Sequence, residues 1–151
     1  MKLYRIALKK YISDLSGTGA YLYGGRWNSP GIYVLYASSS ASLAVLEFIC
    51  NSNNLIAACK MGMAQIDLPA FIKLKTISLN ELPPYWNNYP TPMELKSIGD
   101  NWAKENKTLA LKVPSAVINI EYNILINPAH PDFQFIELSL IDDFIFDKRL
   151  S

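Results

Sequence analysis

The chain has 151 residues, a length that suits one domain with a sizeable core. Half of the residues are hydrophobic and only 18% are charged, which excludes a disordered chain. The 14 basic and 13 acidic residues leave a net charge of +1, which gives no basis for a nucleic acid as the main partner.

In chain order, "KLYRIAL" reads as a first strand and "GIYVLYAS" as a second, both rich in β-branched and aromatic residues. "SSSASLAVLEFIC" reads as a helix with Ser39 or Ser40 as its N-cap. "NLIAACKMGMAQIDL" and "FIKLKTIS" are predicted strands, parted at Pro69. "TPMELKSIGDNWAKEN" starts a second helix, with Thr91 as N-cap, Pro92 at the first helical position and Glu94 closing a capping box. Leu95, Ile98 and Trp102 share one face of it. "TLALKV", "AVINI", "NILIN" and "FQFIELSLI" complete the pattern as short strands. Many strands with two helices predict an α+β domain and not a parallel βαβ sheet.

The start, "MKLYRIALKKY", interrupts its apolar residues with charge every few positions, unlike a secretory leader. No apolar run approaches the ~20 residues that cross a bilayer. Cys50 and Cys59 lie in apolar stretches without metal-ligand spacing, so they read as buried thiols in a reducing cytoplasm.

Four positions stand out against this background. Arg26 follows two glycines in "LYGGRWNSPG", a polar loop entering an apolar strand. The glycines do not form a dinucleotide fingerprint, because a loop and a strand follow them where a helix is needed, and no Gly-Lys-Ser/Thr phosphate loop occurs. They suit tight turns or close approach of a ligand to the backbone. Arg26 is then either a surface arginine covering Trp27 or an anion ligand. Glu47 is the only charged residue from Ala37 through Ala58, amid Leu43, Leu46 and Cys50. Burying an unpaired carboxylate costs several kcal/mol, so Glu47 is either a partly exposed or ion-paired surface group or a carboxylate facing a pocket. Ser115 follows Pro114, which cannot donate to a sheet, so its hydroxyl falls at a strand break. A triad of Ser115, His130 and Asp132 lacks the Gly-x-Ser-x-Gly elbow. His130, flanked closely by two prolines, reads as a hydrogen-bonding lock on its loop and not as a metal ligand.

The segments "GGRWNSPGIYVLYASSSASLAVLE", "LPPYW", "IGDNWAKENKTLALKVPSAV", "NILINPAHPDF" and "FDKRL" occur in the order seen in RES-domain proteins, which the chain resembles over essentially its whole length, 1–151. The arginine, glutamate and serine of that family's name match Arg26, Glu47 and Ser115. The resemblance implies a compact domain with a mixed, mostly antiparallel sheet similar to the ADP-ribosyltransferase fold. It also implies a bacterial toxin that consumes NAD+ as substrate without a metal, with an Xre-type helix-turn-helix antitoxin as partner. A homodimer stays open, and neither a membrane nor direct nucleic-acid binding is implied for this chain.

That implied chemistry suits the residues. Breaking the nicotinamide–ribose bond builds an oxocarbenium-like cation, which needs a nearby carboxylate, and Glu47 is the isolated acid available. A guanidinium holds a pyrophosphate by bidentate hydrogen bonds, the role expected of Arg26. Tyr36, at the end of the second strand, is placed to stack on nicotinamide or hydrogen-bond the ribose, and Ser115 to orient the glutamate or the ribose hydroxyls. The expected reaction is NAD+ degradation with water or phosphate as acceptor. The alternatives are ADP-ribosylation of a specific protein and a non-catalytic binding domain.

Overall fold

The computed structural model describes residues 1–52 and 59–150. Its order is β1 (Lys2–Leu8), α1 (Thr18–Tyr23), β2 (Leu35–Ser38), α2 (Ala41–Asn51), β3 (Met61–Asp67), β4 (Leu74–Thr76), α3 (Met93–Glu105), β5 (Ala110–Pro114), β6 (Tyr122–Ile126) and β7 (Glu137–Phe144). The strands form one seven-stranded sheet in the order β4-β5-β6-β2-β1-β3-β7. Only β4 and β5 run parallel; the other neighbours are antiparallel. The α+β expectation with a mixed, mostly antiparallel sheet holds.

The sheet is thin at its middle, where Tyr4↔Ser38 is the one registered pair between β1 and β2. Two cores form around that seam. Leu3 and Ile66 from one half pack with Leu35, Ala37, Ile124 and Ile126 from the other. On the opposite face of β5 and β6, Leu111, Val113 and Leu125 meet Leu95 and Trp102 of α3 together with Trp27 and Trp86. This is the period-2 alternation of strands covered on both faces. Each large side chain so buried contributes about 1.5–3 kcal/mol.

Several boundaries differ from the sequence expectation, each for a local reason. The second strand begins only at Leu35, because Asn28 Nδ2 donates to the carbonyls of Ala20, Ser29 and Ile32 and holds the preceding segment as a loop. "AVINI" is a turn and not a strand: Ser115 Oγ accepts from the backbone N–H of Val117 and of Ile118, a side-chain cap that competes with sheet pairing. "FIKLKTIS" contributes only Leu74–Thr76, and Pro131–Phe135 is a 3-10 turn ahead of β7. The third strand starts at Met61; residues 54–58 of the expected strand lie outside the described residues.

Ser40 caps α2 as expected, accepting from Leu43 N. The cap of α3 is Pro92 and not Thr91, and Glu94 turns away to accept the Tyr85 hydroxyl, so that capping box does not form. A capping box is present instead at Ser78 and Glu81. Leu95 and Trp102 are buried on the inner face of α3, with Ile98 packed beside them. Cys50 and Cys59 are exposed free thiols, a correction to the buried pair expected. One lies in the last turn of α2 and the other just before β3, positions at element ends. Among the described residues no helix is long and apolar enough to cross a membrane.

Candidate active site

Arg26 and Trp27 form the tip of a tight turn closed by pairing between Gly25 and Asn28. Trp27 is driven into the core beneath α3, which leaves Arg26 half-buried beside it. The turn is fastened from three sides. Lys96 Nζ donates to the Gly25 carbonyl at 2.9 Å, and Asp100 one helical turn on accepts from Ser29 N at 2.8 Å. Arg26 Nη1 itself donates to the carbonyls of Trp86 (3.2 Å) and Asn88 (3.1 Å). Among the described residues no hydrogen bond occupies its Nε or Nη2, so part of the guanidinium fork is left for a ligand. Burial lowers the Arg26 pKa from its ordinary value, and the nearby Glu47 carboxylate works against that shift.

Glu47 is half-buried on α2, one turn beyond the buried Leu43 and on the same stripe. Its Oε1 accepts from Ser115 Oγ at 2.7 Å and from Asn123 Nδ2 at 2.6 Å. Ser115 is fully buried and takes two backbone N–H groups on its own oxygen, so its proton is committed to Glu47. The strand break after Pro114 thus sets the hydroxyl against the glutamate. Of the two pairings considered for Ser115, the structure forms the one with Glu47. The Ser115–His130–Asp132 triad is not formed, because His130 Nδ1 accepts from Asp132 N and locks its own loop.

Tyr36 lies on the same sheet face as Leu125, its register partner on β6, and Leu111, the partner of Leu125 on β5. Its hydroxyl donates to Asn28 Oδ1 (2.7 Å) and accepts from Trp27 N (3.1 Å). The single hydroxyl proton is therefore spent on the arginine turn, and burial pushes the phenol pKa well up. Arg26 also senses Tyr36 electrostatically, so Arg26, Tyr36, Glu47 and Ser115 share one neighbourhood although they come from four separate segments.

Sequence reasoning missed Asn123, Asn28 and Lys96. Asn123 stands among other polar residues, with Asn119 and Glu121 before it and Asn127 after it, so nothing in the sequence singles it out. Lys96 carries no distinguishing signal in the sequence, and only the fold shows it reaching the Gly25 carbonyl. Among the described residues no group of three or more His, Cys, Asp or Glu gathers to hold a metal.

A sequence profile described as "RES domain" matches residues 2–147. The chain belongs to the RES domain family. It is 35% identical over 139 residues to a protein of Sphingobium sp. named "Prs ADP-ribosylating toxin", covering 91% of this chain and 86% of that one. It is also 35% identical over 152 residues to "Toxin Res" of Yersinia enterocolitica, covering 99% of each. Among solved structures it superposes on a chain of the M. tuberculosis MbcT–MbcA toxin–antitoxin complex with a TM-score of 0.81, over 95% of this chain and 84% of that one, at 16% identity. At that identity the likeness speaks for the fold of this RES domain alone.

Proposed function

We propose that this RES domain is the toxin of a toxin–antitoxin pair and that it degrades NAD+ by cleaving the nicotinamide–ribose bond, with water or phosphate as acceptor. The observation that carries the reading is the Glu47 carboxylate, held through one oxygen by Ser115 and Asn123 within electrostatic reach of Arg26. Leaving of neutral nicotinamide builds positive charge on the ribose ring, and a carboxylate fixed in a partly desolvated site stabilises that charge without reorganising. Arg26 holds the pyrophosphate with the part of its fork not bound to Trp86 and Asn88. Tyr36 offers its ring face to nicotinamide and its hydroxyl to the arginine turn. No step needs a metal.

A partner antitoxin is supported by the structural likeness to a toxin taken from a toxin–antitoxin complex, and we assign it to the Xre-type helix-turn-helix class in the cytoplasm. A second reading keeps the same residues and changes the acceptor to a protein side chain; the name of the Sphingobium relative favours it. A purely binding domain would have no need for a hydrogen-bonded carboxylate beside an arginine.

Incubating the pure protein with NAD+, with and without phosphate, and following nicotinamide and ADP-ribose species tests the reading. Free nicotinamide with ADP-ribose or its phosphorylated form supports it. Intact NAD+ under all conditions overturns it. In bacteria lacking the antitoxin, expression is expected to arrest growth with an early fall in NAD+; arrest at unchanged NAD+ points to protein modification.

Arg26 gives a separate prediction. The pyrophosphate charge is the same before and at the transition state, so its loss acts on ground-state binding. Arg26→Ala is expected to raise KM for NAD+ by about 10- to 100-fold, the worth of a lost charge-assisted hydrogen bond, with a smaller fall in kcat. Steady-state kinetics check the split, and an unchanged KM removes Arg26 from the binding site.

A further inference from the structure

We propose that Asn123 is a positioning residue that, with Ser115, fixes Oε1 of Glu47 so that Oε2 is the oxygen presented to the ribose, an assignment that rests on the NAD+-cleaving reading above. Asn123 sits on β6 between Ser38 of β2 and Val113 of β5 in register. Its amide orientation is settled by chemistry. A carboxylate only accepts, so Nδ2 must face Glu47 Oε1, at 2.6 Å. Oδ1 is then free to accept, and it takes the hydroxyl of the buried Ser38 at 2.8 Å. Ser38 thereby anchors the far side of the amide, while the acceptor-only carboxylate fixes which way it faces.

The second clamp is independent of the first. Ser115 Oγ is pinned by the Val117 and Ile118 amides and aims its proton at the same Oε1. Two donors, one on β6 and one just past the end of β5, converge on one oxygen. A glutamate side chain has three rotatable bonds, and these contacts remove most of that freedom before substrate arrives. Among the described residues no hydrogen bond reaches Oε2, so that oxygen keeps its full capacity to stabilise a cation. Donors placed on Oε2 instead would draw charge away from the reacting centre. The arrangement separates holding from acting, one oxygen for each.

The test uses the intact chain with Asn123→Ala, Asn123→Gln and Ser38→Ala, measuring kcat and KM for nicotinamide release from NAD+ beside thermal unfolding. Asn123→Ala is expected to lower kcat by about 10-fold or more while KM stays within about 2-fold, because a misplaced catalytic group costs rate and not ground-state affinity. Asn123→Gln, which keeps the donor, is expected to recover part of kcat, and Ser38→Ala to lie between wild type and Asn123→Ala. A kcat within about 2-fold of wild type in a folded Asn123→Ala protein overturns the proposal, as does a rise in KM with kcat unchanged. If Asn123→Ala does not fold, Ser38→Ala with wild-type kcat overturns it instead. Wild-type protein that leaves NAD+ intact defeats the reading of function but not this placement, which crystal structures of wild type and the Asn123 variants then decide. A Glu47 carboxylate displaced from Ser115 in the Ala variant and restored in the Gln variant supports the proposal. A carboxylate in the same place in all of them overturns it.

Discussion

Glu47→Gln is expected to lower turnover of NAD+ by roughly 100-fold or more while NAD+ still binds, by analogy with other preorganised electrostatic groups. The structure makes this a clean substitution. Both hydrogen bonds to Glu47 arrive at one oxygen, from Ser115 and Asn123, and an amide can offer its carbonyl oxygen to both. The Gln side chain therefore keeps its position and replaces only Oε2, by a group without negative charge. What disappears is attraction to a cation that exists at the transition state and nowhere else. Binding is expected to change far less than turnover, since the lost attraction to the ground-state pyridinium is offset by a removed repulsion from the pyrophosphate. Rapid-quench or steady-state kinetics with NAD+, alongside calorimetric binding, separate the two quantities. Wild-type turnover in this variant would remove Glu47 from the chemistry.

The clamp around Glu47 also shows what a linear chain can and cannot reveal. Glu47 was legible because a lone charge in a long apolar helix is expensive, and Ser115 because Pro114 must end its strand. Both are local costs that need an explanation wherever the chain goes. That the two meet is a fact of topology: α2 and the end of β5 are brought together only by the pairing of β2 with β6 and of β6 with β5. Asn123 was missed for that reason, as its two partners lie 85 and 76 residues away in sequence. The misplaced boundaries have another origin. "AVINI" offers Val117, Ile118 and Ile120 to a strand, yet one serine hydroxyl offered to two backbone amides turns it aside. "GIYV" likewise loses to the amide of Asn28, whose two protons are shared among the carbonyls of Ala20 in α1 and of Ser29 and Ile32 in the loop. Weak strand preference yields where a side chain supplies the backbone's hydrogen bonds locally.

Asn28 and α3 together make the arginine turn rigid, and the closest approach in that assembly is at Gly99. There a Cβ would lie 1.6 Å from the Trp27 carbonyl oxygen and 2.7 Å from its carbon. These are backbone atoms of the turn that carries Arg26, so no side-chain rotation relieves the clash. Glycine inside a helix ordinarily costs about 0.5–1 kcal/mol relative to alanine, so α3 gives up that much to let the turn seat against it. Gly99→Ala is accordingly expected to destabilise the fold by about 3 kcal/mol or more, the upper range for overpacking a core. In a protein of this size that corresponds to a fall in Tm of about 6–12 °C. The loss extends to function, because α3 can retreat only by stretching the Lys96 and Asp100 contacts that hold Gly25 and Ser29. The molecules that remain folded are then expected to bind NAD+ more weakly, through a displaced Arg26. Gly19→Ala is the matched control. It lies in α1, its Cβ would meet nothing within 4 Å, and it is expected to leave stability unchanged or raise it by up to about 1 kcal/mol. Thermal unfolding of the two variants side by side decides the matter: equal Tm values would mean that α3 and the arginine turn do not pack as closely as the structure places them.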